Sequence, residues 1–147
     1  MKNKLLYLLL LLVILAVGCA KTHNDGLPAS AIPSGTFAGQ FKFYHRHTNQ
    51  VPYDSLMANI SVKLLSSDYT FTVTGDTATL HAGSYGTWGI NSPYMIFNDK
   101  TYSSTAPITK THLSGYYLYN YDGTNLILYA SSSDTLILGY TLKKTTN

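Results

Sequence analysis

The sequence predicts an all-β domain, an eight-stranded antiparallel up-and-down barrel, behind a short apolar leader. Three observations predict it. Apolar and polar residues alternate with a period of two through most of the chain beyond residue 34, as in strands with one buried face. The composition suits strands: there are 13 tyrosines, abundant Thr and Ser, no glutamate and only 12% charged residues. Finally, the alternating runs are short and separated by turn residues, and eight of them can close on themselves and so remove the edges that invite association.

The leader, "MKNKLLYLLLLLVILAVGCAK", carries no charge from Leu5 to Ala20. That run falls short of the about 20 residues a spanning helix needs. Lys2 and Lys4 give a positive start, Leu5 to Val17 an apolar stretch, and Ala16, Val17 and Gly18 a small-residue close, the arrangement of an export signal. The small residues directly before Cys19 resemble the lipobox of bacterial lipoproteins, although Leu15 stands four residues before the cysteine rather than the usual three. The resemblance implies a signal peptide over 1–18 and a Cys19 that is acylated, as by palmitate, and becomes the N-terminus. It also implies attachment to the membrane of the bacterial cell envelope, with the outer membrane expected. Cys19 is the only cysteine, so no intramolecular disulfide can use it, and a leftover thiol in an exported chain asks for another role. With about 0.8 kcal/mol per buried CH₂, more than one acyl chain gives stable anchoring. An ordinary cleaved signal with an incidental cysteine, or an uncleaved anchor, are the alternatives.

Removal of residues 1–18 leaves 129 residues, enough for one domain, and lowers the formal charge from +3 to +1. Without a clustered basic face there is no electrostatic case for nucleic acid as a partner. Residues 19–33 hold the lipidated cysteine and a Gly- and Pro-containing stretch without periodicity, which reads as a flexible tether. The barrel domain is expected over 34–147.

In "GTFAGQFKFYHRH", Phe37, Phe41 and Phe43 alternate with Gln40, Lys42 and Arg46. "DSLMANISVKLL" is the clearest strand, with Leu56, Ala58, Ile60, Val62 and Leu64 on one face. "YTFTVTG" sets Tyr69, Phe71 and Val73 against threonines and ends at Gly75-Asp76. "GSYGTWGI", "YMIFND", "THLSGYYLYNYD", "TNLILYA" and "DTLILGYTLKK" complete the eight, separated by Asn91-Ser92-Pro93, a longer loop around Pro107, Asp122-Gly123 and Ser131 to Asp134. Leu56, Ile60, Val62, Phe71, Leu136 and Leu138 are expected inside. Tyr117, Tyr119 and Tyr121 share one face, expected inward, with Tyr116 and Leu118 opposite.

The order "GTF", "YTFT", "GTWGI", "MIFND" and "LILGYTLKK" resembles the small lipocalin-like lipoproteins of Gram-negative envelopes. Gly35-Thr36-Phe37 stands where lipocalins carry Gly-x-Trp, and Lys143 or Lys144 near their late-strand arginine. The third lipocalin motif is not found. The resemblance covers about Ser34 to Lys144 and implies a lipocalin-like barrel.

Candidate chemistry is sparse. His45 and His47 lie two apart and so share a strand face, continuing that of Phe41 and Phe43 toward one end of the barrel. A metal needs further ligands, and nothing in the spacing brings His81 or His112 to them, so no metal site is expected. The glycines at 83, 86 and 89 lead into a strand rather than a helix, which speaks against a phosphate cradle and for a sharply coiled barrel strand. Trp88 is expected in the core, with ligand stacking the alternative. No Gly-x-Ser-x-Gly elbow and no evident carboxylate pair occur, so neither an enzyme nor a cofactor is expected. Two functions stand side by side. In one, the barrel mouth binds a small apolar ligand through Phe43, His45, His47 and Trp88; in the other, the barrel is filled by side chains and the protein acts as a structural lipoprotein that contacts an envelope protein.

Overall fold

All eight strands form, in chain order: β1 (Gly35–His45), β2 (Asp54–Leu65), β3 (Thr70–Gly75), β4 (Ser84–Asn91), β5 (Tyr94–Asp99), β6 (Gly115–Tyr121), β7 (Asn125–Ser132) and β8 (Leu136–Lys144). The computed structural model describes residues 32–45, 54–102, 109–132 and 136–146. The leader, Cys19 and His47 lie outside them. Each strand pairs antiparallel with the next, and β8 returns to pair with β1 with Phe41 opposite Tyr140, closing the barrel. The fold is the predicted eight-stranded up-and-down barrel.

Period-two alternation decides what lies inside. Phe37 and Phe41 of β1, Ala58 to Leu64 at every second position of β2, Phe71, Val73, Trp88, Met95, Phe97, Tyr117, Leu126, Leu128, Tyr140 and Leu142 form one buried cluster. Tyr119 and Tyr121 pack against it, while Tyr116 is 67% exposed on the outer wall. The interior is apolar and the outer wall largely polar, the opposite sense from barrels that span outer membranes. Fully burying a side chain of the Leu, Ile or Phe size contributes about 1.5–3 kcal/mol, so this cluster dominates stability.

Aromatic rings link the strands across the interior. Phe41 meets Tyr140 at 4.9 Å between ring centroids, Tyr140 meets Tyr117 at 5.5 Å, Tyr117 meets Phe97 at 5.8 Å and Phe97 meets Phe71 at 5.3 Å, mostly edge to face. Each such pair adds about 0.5–1.5 kcal/mol beyond burial. The rings fill the middle of the barrel. Where β4 presses on β5, a side chain at Gly86 would run into the Asn98 carbonyl oxygen and come within 2.9 Å of the Phe71 ring, so glycine is required there by close backbone approach.

Strand direction divides the ends. At one end, which we call the base, β2–β3, β4–β5 and β6–β7 are joined by short turns and the chain enters and leaves the barrel. Ile32 and Pro33, at the close of the expected tether, already lie against the barrel here; Pro33 is buried. At the other end, the mouth, β3–β4 and β5–β6 are joined by longer segments, of which the described residues 76–83 and 109–114 lie across the opening.

Two expectations change. The sixth strand begins at Gly115, which has a positive φ of 97°, rather than at Thr111, because residues 111–113 are spent on covering the mouth: Leu113 is wholly buried. Of the six residues expected inside, Ile60, Val62 and Phe71 are buried, whereas Leu56 is 58% exposed and Leu136 and Leu138 are only half-buried. All three point inward but sit at the mouth, where the barrel wall ends before the side chains run out of space to fill.

Candidate functional site

The mouth holds a cavity of about 580 Å³, lined by Phe43 of β1, Leu56 of β2 and Leu136 and Leu138 of β8, with Leu80, Tyr102 and residues 109–112 and 114 from the two long connections. The wall is therefore apolar on the side of β8, β1 and β2. The opposite side carries the hydrogen-bonding groups of Thr109, Lys110, Thr111, His112 and Ser114.

The two connections are laid side by side by backbone pairing. Ala82 N–H donates to the Thr111 carbonyl at 2.8 Å and Thr111 N–H to the Leu80 carbonyl at 3.0 Å, a parallel bridge centred on His81 and Thr111. Lys110 Nζ donates to the Thr77 carbonyl at 2.9 Å and ties the same segments again. Below the bridge, buried His81 and Leu113 close the barrel interior off from the cavity.

His81 fits its place through both ring nitrogens. Nδ1–H donates to the Ala82 carbonyl at 2.7 Å, which leaves Nε2 to accept from the Tyr140 hydroxyl at 2.9 Å. The ring stands edge-on to Phe41 at 4.9 Å. Burial lowers its pKa to about 4, because an imidazolium there would lose its water; the Ala82 hydrogen bond opposes this only in part. His81 is thus a neutral structural plug. The Tyr117 hydroxyl is also buried, with the Tyr140 hydroxyl and the Ser114 backbone as its polar neighbours but no hydrogen bond of good geometry, and burial pushes its pKa up.

At the rim, Asp99 ends β5 with its carboxylate fully covered. Oδ1 accepts from Thr101 N–H at 2.7 Å and Thr101 Oγ1–H at 2.6 Å, and Oδ2 accepts from His112 Nδ1 at 2.7 Å. Burial pushes the carboxyl up, but the hydrogen bonds from Thr101 and His112 outweigh it and hold the pKa below the usual carboxylate value. The His112 ring is 21% exposed, lies edge to face with Tyr102 at 5.3 Å and lines the cavity.

The residues expected to form one site are not all together. Phe43 lines the mouth cavity. His45 lies on the same inward register, opposite Asp54 and Leu136, but is not part of the cavity wall. Trp88 lies at the base, where its indole N–H donates to the Thr70 carbonyl at 3.0 Å and its ring meets Tyr69 at 5.4 Å. There it is buried as core and lines a separate depression of about 570 Å³ with Ile32, Tyr69 and Tyr119. His47 and Cys19 lie outside the described residues. The Asp99–His112 pair was not expected; its trace in the sequence is Asp99-Lys100-Thr101, an acceptor two residues before a Thr at the end of a strand, the pattern of a side-chain-capped turn. Among the described residues no cluster of three metal-ligating side chains occurs.

No protein-family model, curated protein or solved structure matches this chain. Among the described residues, fold and mouth together define a closed up-and-down barrel with a filled interior and a half-apolar cup at one end.

Proposed function

We propose that this protein is a lipocalin-like envelope lipoprotein, anchored through acylated Cys19, that binds a small, largely apolar ligand in the cup at the barrel mouth. The observation that carries the reading is the cavity of about 580 Å³ with Phe43, Leu56, Leu80, Leu136 and Leu138 turned into it. Small-molecule sites commonly begin near about 300 Å³ and combine apolar walls with a few polar groups. Leucines left partly in water at the end of an otherwise filled barrel gain about 25 cal/mol for each Å² that a ligand covers. The cup, not the barrel centre, is the site, because His81, Leu113 and the aromatic rings occupy the centre.

Calorimetric titration with medium-chain alcohols, fatty acids and sterols tests it. Saturable binding that Phe43→Asp and Leu138→Asp both weaken at least tenfold is the expected result, at about 1.4 kcal/mol per factor of ten. Absence of binding by every compound overturns the reading. Anchoring has its own test: intact mass of the membrane fraction should show a chain that starts at Cys19 with acyl groups added, and Cys19→Ser should lose them.

A second reading, a lipoprotein that contacts an envelope protein, is favoured by the outer wall. The outward residues of β3 to β7 include no charged side chain, and Tyr94, Tyr116, Leu118, Ile127 and Tyr129 are exposed there on neighbouring strands. Aromatic surface depleted of charge is typical of interface cores.

A further inference from the structure

Resting on the reading of the cup as a ligand site, we infer that its ligand bears a hydroxyl group, which donates a hydrogen bond to Nε2 of His112 while the apolar body lies against Phe43, Leu56, Leu136 and Leu138. The argument starts from Asp99. Its carboxylate accepts two hydrogen bonds from Thr101 on Oδ1 and one from His112 on Oδ2, and an ionised carboxylate can only accept. The proton between Asp99 and His112 is therefore on Nδ1. In the neutral imidazole this leaves Nε2 as an acceptor, and no hydrogen bond of the described residues uses it.

The ring is held in this orientation by the 2.7 Å hydrogen bond and by its inclined contact with the Tyr102 ring. A buried carboxylate used to fix one tautomer of a partly exposed histidine on a cavity wall is the arrangement by which proteins aim a lone pair at a bound group. The cup thus offers an oriented acceptor across from an apolar wall. A hydroxyl matches it by donating, whereas an ether oxygen or a carboxylate presents only lone pairs to a lone pair. Asp99 is a positioning residue; His112 makes the contact.

The test compares 1-octanol, methyl octyl ether and octanoate by calorimetry at neutral pH, with all variants checked for folding by circular dichroism. Octanol is expected to bind about three- to tenfold more tightly than the ether, the span of one net hydrogen bond. His112→Phe should abolish this preference, so that octanol and the ether bind with equal affinity, whatever the change in the affinity of both. Asp99→Asn gives a readout that a merely structural role for the pair does not move. The Thr101 N–H donates to Oδ1 and so keeps the amide oxygen of Asn at that position, which turns the amide N–H₂ toward His112 Nδ1. The imidazole proton then moves to Nε2, and the alcohol and the ether, both able to accept from it, should bind equally well. Where His112→Phe fails to fold, Asp99→Asn carries the test alone. Equal affinity of octanol and ether for the unaltered protein, octanoate as the tightest ligand, or a preference that survives either variant overturns the inference. Failure of all three to bind overturns the cup as a ligand site and the inference with it, whereas binding without preference overturns only the inference.

Discussion

Lowering the pH should destabilise the barrel between about pH 6.5 and 4 through His81. In the folded protein burial depresses its pKa from 6.5 to about 4, so the native state stays unprotonated through that window while the unfolded chain takes up a proton. Stability then falls as pH falls, by about 1.4 kcal/mol per pH unit, and the loss levels off near pH 4 where the native state also binds the proton. The full difference is about 3 kcal/mol, a large share of the 5–15 kcal/mol typical of a domain. Urea unfolding followed by circular dichroism across this range measures it. The control is His81→Gln, whose amide can still donate to the Ala82 carbonyl and accept from Tyr140 but does not titrate. Contributions of the other histidines cancel in the difference between the two proteins. Wild type should lose about 3 kcal/mol more than the variant on going from neutral pH to pH 4; parallel pH profiles would refute the assignment of His81 as a neutral plug.

Two packing contrasts follow from the same interior. Gly86→Ala should lower stability by about 2 kcal/mol or more, since the added methyl meets the β5 backbone, while Gly89→Ala, with nothing within 4 Å of the new atom, should change it by less than about 0.5 kcal/mol; denaturant midpoints distinguish them. Tyr140→Phe should cost about 1–3 kcal/mol by leaving His81 Nε2 without its donor, whereas Tyr117→Phe removes a hydroxyl that makes no hydrogen bond of good geometry and should cost less than about 1 kcal/mol, read by thermal unfolding.

The strands were legible because side-chain direction along a strand is a local property. Phe37, Phe41, Ile60, Val62 and Phe71 could be assigned inward from period two alone, and the count of eight supplied closure. What alternation does not carry is height within the barrel. Phe43 and Trp88 are both inward, yet β1 runs toward the mouth and β4 toward the base, which separates them. Counting strand directions would have found this, and would have placed Leu56 and Leu136, which open even-numbered strands, beside Phe43 at the mouth. The connections were not legible. The burial of His81 depends on Tyr140, 59 residues away, and on a bridge to Thr111, so no local pattern marks it. Asp99 and His112 likewise meet only because the β5–β6 connection folds back, and the sequence offered His112 as no more than an unplaced histidine.

The seam between β1 and β8 sets the order in which this chain can fold. Every other pairing between strands joins neighbours in sequence, but the seam joins Phe37 to Lys144 and ends with Thr145 N–H on the Thr36 carbonyl at 2.8 Å. Hairpins form from nearby residues on short time scales, while closing a loop of this length costs entropy that only the completed contact returns. Until the last strand arrives, β1 presents a row of unpaired backbone groups, the template on which one chain recruits another. Arrival of β8, "LILGYTLKK", therefore separates an aggregation-prone curled sheet from a closed barrel, and truncation within it exposes that edge for good.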